Sequence, residues 1–298
     1  MNNNLKGSII LFLTALLWGT TFIAQKIATS YVGPFTFIFF RSIIAVVLLY
    51  FISLITEKKI KVEQGMKKNK VIMFACFAGL SLFVALLFQQ IGLETITASK
   101  SGFICSMYIM FVPLIGLLLK HKIKSYVWVC IFVAIVGSYL LSTTSTLTSF
   151  GFGELLSIAS AIFFALQIIF VDRACKYLNP YKFCMIQIGV VTIFSFIMML
   201  ILEKPSIESI KQALLYMAYA GVFSSCLAYS FQIIGQNYAE PTVASIVMSL
   251  ESVISLLAGV IILHETMGDR EIIGSILIFL SVICSQIPFE NIKFKLKK

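Results

Sequence analysis

Ten separate runs of about twenty predominantly apolar residues follow one another along a chain of 298 residues. They lie near residues 8–26, 34–55, 71–91, 98–119, 125–142, 153–173, 181–202, 212–234, 242–263 and 271–288. A helix of that length covers a hydrocarbon core of about 30 Å, and in lipid a helix is the element that satisfies its own backbone hydrogen bonds. Only 12% of the residues are charged, against about 25% in a soluble domain. The fold class read from these runs is all-α integral membrane, with ten transmembrane helices. The first run follows "MNNNLKGS", a start like that of a secretion signal. Its length, and the lack of a cleavage site leading into a polar domain, predict a retained first helix.

The formal net charge is +10, which invites a nucleic-acid reading that the distribution of the charge opposes. With the N-terminus placed in the cytoplasm, 17 of the 23 Lys and Arg residues fall on cytoplasmic segments and 5 on the other side, and Arg41 lies within a helix. That bias is the positive-inside pattern. It predicts a multi-pass protein of the cell membrane with both termini cytoplasmic, whose basic residues meet anionic lipid headgroups and not nucleic acid. Seven scattered cysteines without a C-x-x-C pair suggest neither a zinc site nor a disulfide framework. His121 and His264 sit at predicted helix ends, and no metal or cofactor is implied.

The chain repeats itself. Shifted by 146 residues, Gly7, Ala15, Ala28, Tyr31, Pro34 and Phe37 fall on Gly153, Ala161, Ala174, Tyr177, Pro180 and Phe183. Farther on, a shift of 143 lays Phe88, Gln89, Ile91, Gly92 and Ser106 over Phe231, Gln232, Ile234, Gly235 and Ser249. Each half holds five spans. Because five is odd, the second half enters from the opposite side, so the two are inverted repeats of the kind found in secondary transporters, with a site expected near the midplane. The expected organisation is a first repeat at 1–143, an outside linker at 144–152, a second repeat at 153–290 and a basic cytoplasmic tail at 291–298.

Ten helices as five plus five, with "LLWGTTF" in the first, "FFRSIIA" in the second, "SGFICSMYIMFVPL" in the fourth and "SLESVISLLAGVIILHE" in the ninth, resemble the drug/metabolite transporter superfamily, in particular its EamA-like branch. The resemblance covers essentially the whole chain. It implies movement of a small molecule by alternating access, often export of amino acids or other metabolites, driven by a proton or solute gradient. Ser252 stands where family members often carry a proline after the glutamate of the ninth helix.

Polar residues deep in the apolar runs are the candidates for the site. Glu251 lies nine residues after Thr242, about 13 Å into the membrane, where a charge is costly and usually functional. It reads either as a proton-coupling or substrate-amine group, or as a glutamate tied to neighbouring helices for packing. Trp18 lies too deep for an interfacial belt and reads as a cavity wall that stacks on a ligand, or as packing against Gly19; its repeat mate is Phe164. Arg41, seven residues into the second helix, reads as a holder of an anionic substrate group. Its structural reading, the favoured one, pairs it with backbone carbonyls or with an acid such as Glu94 or Glu154. Gln89, Gln167, Gln232, Tyr108 and Tyr229 offer donors and acceptors to a zwitterionic or hydroxylated solute, or interhelical hydrogen bonds. Lys100 is expected to snorkel to the interface, and Glu265 and His264 to close the ninth helix in a solvated turn.

The leading functional reading is a secondary active transporter of a small polar or amphipathic metabolite, an amino acid or related compound moved outward, with protons as the candidate coupling ion. A nucleotide-sugar or phosphorylated-metabolite exchanger would want more central cations than Arg41 alone. A membrane-embedded enzyme would want a reactive cluster such as H-E-x-x-H, and none is present. A non-transporting assembly subunit leaves the polar residues of both repeats unexplained. No P-loop for nucleotide hydrolysis is found.

Overall fold

The computed structural model describes residues 3–57, 60, 62–120, 123–142, 151–263 and 268–286. All ten runs become helical. The first repeat is α1 (Asn3–Ala28), α2 (Pro34–Thr56), α3 (Lys68–Thr95), α4 (Ala98–Ser106), α5 (Tyr108–Leu118) and α6 (Ser125–Ser142). The second is α7 (Phe152–Ala174), α8 (Pro180–Leu202), α9 (Ile207–Tyr219), a π-helical turn (Ala220–Ala228), α10 (Tyr229–Gln236), α11 (Pro241–Met248), α12 (Leu250–Leu263) and α13 (Asp269–Gln286). The fourth crossing is α4 with α5, the eighth is α9 through α10, and the ninth is α11 with α12. Most of the linker expected at 144–152 and the tail at 291–298 lie outside the described residues, as do His121, His264 and Glu265.

Starts of helices follow local chemistry. Pro34, Pro180 and Pro241 open α2, α8 and α11, where a missing N–H costs nothing. Thr97, Asn179 and Ser206 cap α4, α8 and α9 by accepting from backbone N–H groups of the first turn. Large apolar side chains such as Phe51 and Ile201 point outward, 57% and 67% exposed. Meanwhile Arg41, at 1%, and several serines and glutamines are buried. This is the polarity expected of a bundle whose solvent is lipid.

The packing carries the pseudo-two-fold relation. Helix α7 lies along α3, and its mate α1 lies along the crossing that contains α10. A side chain at Gly92 would meet Gly153 O and Ser157 Oγ, and one at Gly235 would meet Gly7 O and Leu11, repeat mates of those same positions. Helices α2 and α8 pack together and are tied at both faces. On one face Glu203 accepts from Phe35 N (2.9 Å), Thr36 N (2.8 Å) and Thr36 Oγ1 (2.5 Å), holding the start of α2. On the other its mate Glu57 pairs with Lys182 in the first turn of α8. A carboxylate at a helix N-terminus is favoured by the helix dipole.

The fourth and ninth crossings both break at mid-depth. Met107 (φ −61°, ψ −8°) and Ser249 (φ −62°, ψ −13°) have nearly the same conformation one residue apart in repeat register. Helix α5 carries Pro113. The ninth crossing has no proline at 252 and breaks all the same; at the break Ser249 Oγ donates to Ile246 O (2.7 Å) and Ser252 Oγ to Ser249 O (2.8 Å). Serine back-bonding of this kind bends helices.

Candidate functional site

Each break delivers a polar side chain to the space between the two halves. Tyr108 opens α5, and its repeat mate Glu251 is the second residue of α12. They border a small central cavity together with Trp18 of α1, Arg41 of α2, Gln89 of α3 and Tyr229 of α10. Six of the eight residues singled out in the sequence are thus brought to one place, from both repeats. The cavity measures about 20 Å³, room for one or two waters.

Gly19 lets α1 approach α12. A Cβ there would sit 2.6 Å from Ile254 Cβ and 2.8 Å from Glu251 O. The close approach fixes Trp18 beside the cavity, where its ring meets Tyr229 at 4.9 Å and 60°. Gly19 is packed against α12, and the indole of Trp18 borders the cavity. Across the cavity Tyr108 meets Phe164, the mate of Trp18, at 6.5 Å and 69°. The indole Nε1 of Trp18 is buried and has no hydrogen-bond partner, while the buried hydroxyl of Tyr108 lies against Glu251. An orphan donor on a cavity is costly, and it marks where a ligand's acceptor would sit.

Arg41 is buried without an acid. Its Nε donates to Ser225 Oγ (2.9 Å), Nη1 to Gln25 Oε1 (3.1 Å) and Nη2 to Ser224 Oγ (2.6 Å). The acids considered for it from sequence lie elsewhere. Glu154 pairs with Lys100 and closes the first turn of α7, and no described carboxylate lies within ion-pair distance of Arg41. Lys100, expected only to snorkel, is that ion-pair partner. Arg41 and Glu251 thus place one group of each charge type on the same cavity.

Gln167 and Gln232 do not border the cavity. They bond each other (3.2 and 3.0 Å), and Gln167 also donates to Gln187 Oε1 (3.3 Å). This amide lattice lies between the cavity and the face on which α1 begins. Toward the opposite face, Lys26 Nζ donates to Leu93 O (2.5 Å) and Ile96 O (2.9 Å) at the end of α3, a cation where the helix dipole favours one. Sequence reasoning missed Gln25, Ser224 and Ser225. The "SS" pair inside an apolar run was the available signal, since small polar residues mark helix contacts in membranes.

A bundle of ten apolar crossings in two inverted halves, around a central cavity walled by aromatic rings and a few polar groups, is the architecture of a membrane transporter. The profile of the EamA-like transporter family matches residues 5–143 and again 151–286, and the chain belongs to that family. A protein of Archaeoglobus fulgidus described as an uncharacterized transporter is 29% identical over 274 residues, which is 92% of this chain and 83% of that one. The uncharacterized transporter YoaV of Bacillus subtilis is 24% identical over 286 residues, covering 93% of this chain and 96% of its own. Among solved structures, a crystal structure described only as that of a protein is similar with a TM-score of 0.77 at 16% identity, over 95% of this chain and 98% of the other. That likeness concerns the fold.

Proposed function

We propose that the protein is a secondary active transporter that moves a small zwitterionic metabolite, of the amino-acid kind, out of the cell by alternating access. It does so in the cell membrane with both termini cytoplasmic. The observation that carries this reading is the presence of Glu251 and Arg41 on one cavity, beside the unpartnered Trp18 Nε1. A substrate ammonium finds its counter-charge in Glu251, a substrate carboxylate finds donors in Arg41, and the aromatic wall covers the rest. Glu251 is also the group able to exchange a proton for the substrate during a cycle. A phosphorylated substrate would ask for more cations than the cavity supplies. Export is the direction the family resemblance carries. The positive bias of the loops supports the orientation.

The test heats purified protein with a panel of amino acids, amines, sugars, nucleosides and nucleotide sugars. A ligand that binds only the folded state raises the melting temperature. Protection by amino acids and not by sugars or nucleosides is the expected result, and protection by nucleotide sugars alone would overturn it.

A further inference from the structure

The two repeats keep one register along α3 and the eighth crossing at one end and a different register at the other. Gly92 and Gly235 meet matching partners, an offset of 143 residues. Farther along, a Cβ on Gly79 would meet Gln187 O (2.6 Å) and Val190 Cβ (2.8 Å), and one on Gly221 would meet Arg41 O (2.8 Å) and Ile44 Cβ (3.0 Å). Arg41 and Gln187 are repeat mates, as are Ile44 and Val190, so Gly79 and Gly221 are mates at an offset of 142. The second repeat therefore holds one residue more between these two fixed contacts. It is absorbed where the π-helical turn Ala220–Ala228 stands. A single inserted residue in a helix is the usual source of a π turn, and such turns gather at functional positions.

The inserted turn has a chemical consequence. Successive residues on an α-helix point about 100° apart, yet Ser224 and Ser225 both reach the guanidinium of Arg41, through Nη2 and Nε. Gln25 takes Nη1 from the other side. A guanidinium has five N–H donors, so three are held and two are left on a side chain that borders the cavity. At the mate position α3 runs on as a regular α-helix, and Gln187, uncharged, bonds another amide. The extra residue is present only in the repeat that faces the charge.

We infer that the insertion is a positioning device. Ser224 and Ser225 on the π-helical turn orient Arg41 so that its remaining N–H groups receive the carboxylate of the substrate. The inference rests on the central cavity being the transport site. Hydroxyls suit this task because they hold the guanidinium without neutralising it, leaving the substrate's anion as its counter-charge.

The test uses matched triplets of an amino acid, its decarboxylated amine and its deaminated acid: alanine, ethylamine and propionate; leucine, isoamylamine and isocaproate; phenylalanine, phenethylamine and 3-phenylpropionate. Thermal protection is measured on the full-length protein, on Ser224→Ala/Ser225→Ala, on Ser225→Thr, and on a variant lacking Phe223, a partly exposed residue of the π turn. The wild type should be protected by carboxylate-bearing members. In the double alanine variant that protection should need roughly tenfold more ligand, as expected for lost hydrogen bonds to a charged group, and it is read against that variant's own unliganded melting temperature, which the stranded N–H groups of Arg41 should lower. Ser225→Thr, which keeps the hydroxyl, should restore it. Deleting Phe223 should leave a folded protein with a continuous α-helix and the same loss. Unaltered carboxylate protection in the double alanine variant overturns the inference. Protection of the wild type by amines alone overturns it too, while leaving the central cavity as the site. No protection by any member overturns both.

Discussion

Arg41 and Gln187 occupy equivalent positions in the two repeats, each seven residues after the proline that opens its helix and each against a glycine of the neighbouring crossing. Around Gln187 the partner is a single amide, that of Gln167, and around Arg41 the partners are two serine hydroxyls and a glutamine. The backbone obeys the pseudo-symmetry while the side chains break it. The same lesson holds for Tyr108 and Glu251, which follow equivalent breaks yet differ in charge. Symmetry built the scaffold, and its violations placed one cation and one acid on the cavity.

The largest effect is expected from making the two nodes alike. Arg41→Gln gives the second helix the residue its mate already uses in a buried site, so the protein should insert and melt within a few degrees of wild type. Uptake into proteoliposomes should nevertheless fall by about a hundredfold, as for removal of a charged anchor worth roughly 3 kcal/mol. Near-normal uptake would show that the difference between the nodes is only structural.

Next in size is Glu251→Gln, which keeps shape and hydrogen bonding but cannot titrate. If the acid carries the coupling proton, uptake driven by a pH gradient should drop at least about tenfold, while substrate exchange at equal pH survives. Loss of both modes assigns Glu251 to the substrate ammonium instead. Gradient-driven uptake close to wild type would leave it a packing residue.

The glycines separate packing from function. Gly79→Ala and Gly221→Ala both force a Cβ against a carbonyl oxygen closer than 3 Å, and each should cost about 1–3 kcal/mol of stability, as overpacking does. Only Gly221→Ala, which presses on Arg41, should also weaken ligand protection. Equal binding defects in both would remove the functional distinction between the nodes.

The smallest change is expected in the amide lattice. Gln167→Leu removes up to three hydrogen bonds, each worth only about 0.6 kcal/mol in a membrane bundle, and should lower the melting temperature slightly without changing affinity. A shift in affinity would mean that the lattice belongs to the transport site after all.

The architecture was legible in one dimension. The length of each apolar run sets a crossing, the odd number of runs per half sets the inversion, and the 1.5 Å rise per residue places Glu251 near mid-depth. Six of the eight polar candidates meet at the cavity because unpaired polar side chains in lipid have little choice but to face inward. Gln167 and Gln232 satisfied that same pressure by bonding each other, an outcome equally compatible with their sequence. The partner of Arg41, the break at Ser249 without a proline and the one-residue shift between Gly79 and Gly221 emerged only from the assembled structure. The physical reason is that lipid is as apolar as a helix interface. A run that is hydrophobic all round fixes a helix and its depth but carries little record of which face turns inward. That rotation is decided by close contacts at small residues such as Gly19, Gly79 and Gly221, and these exist only once the helices have packed.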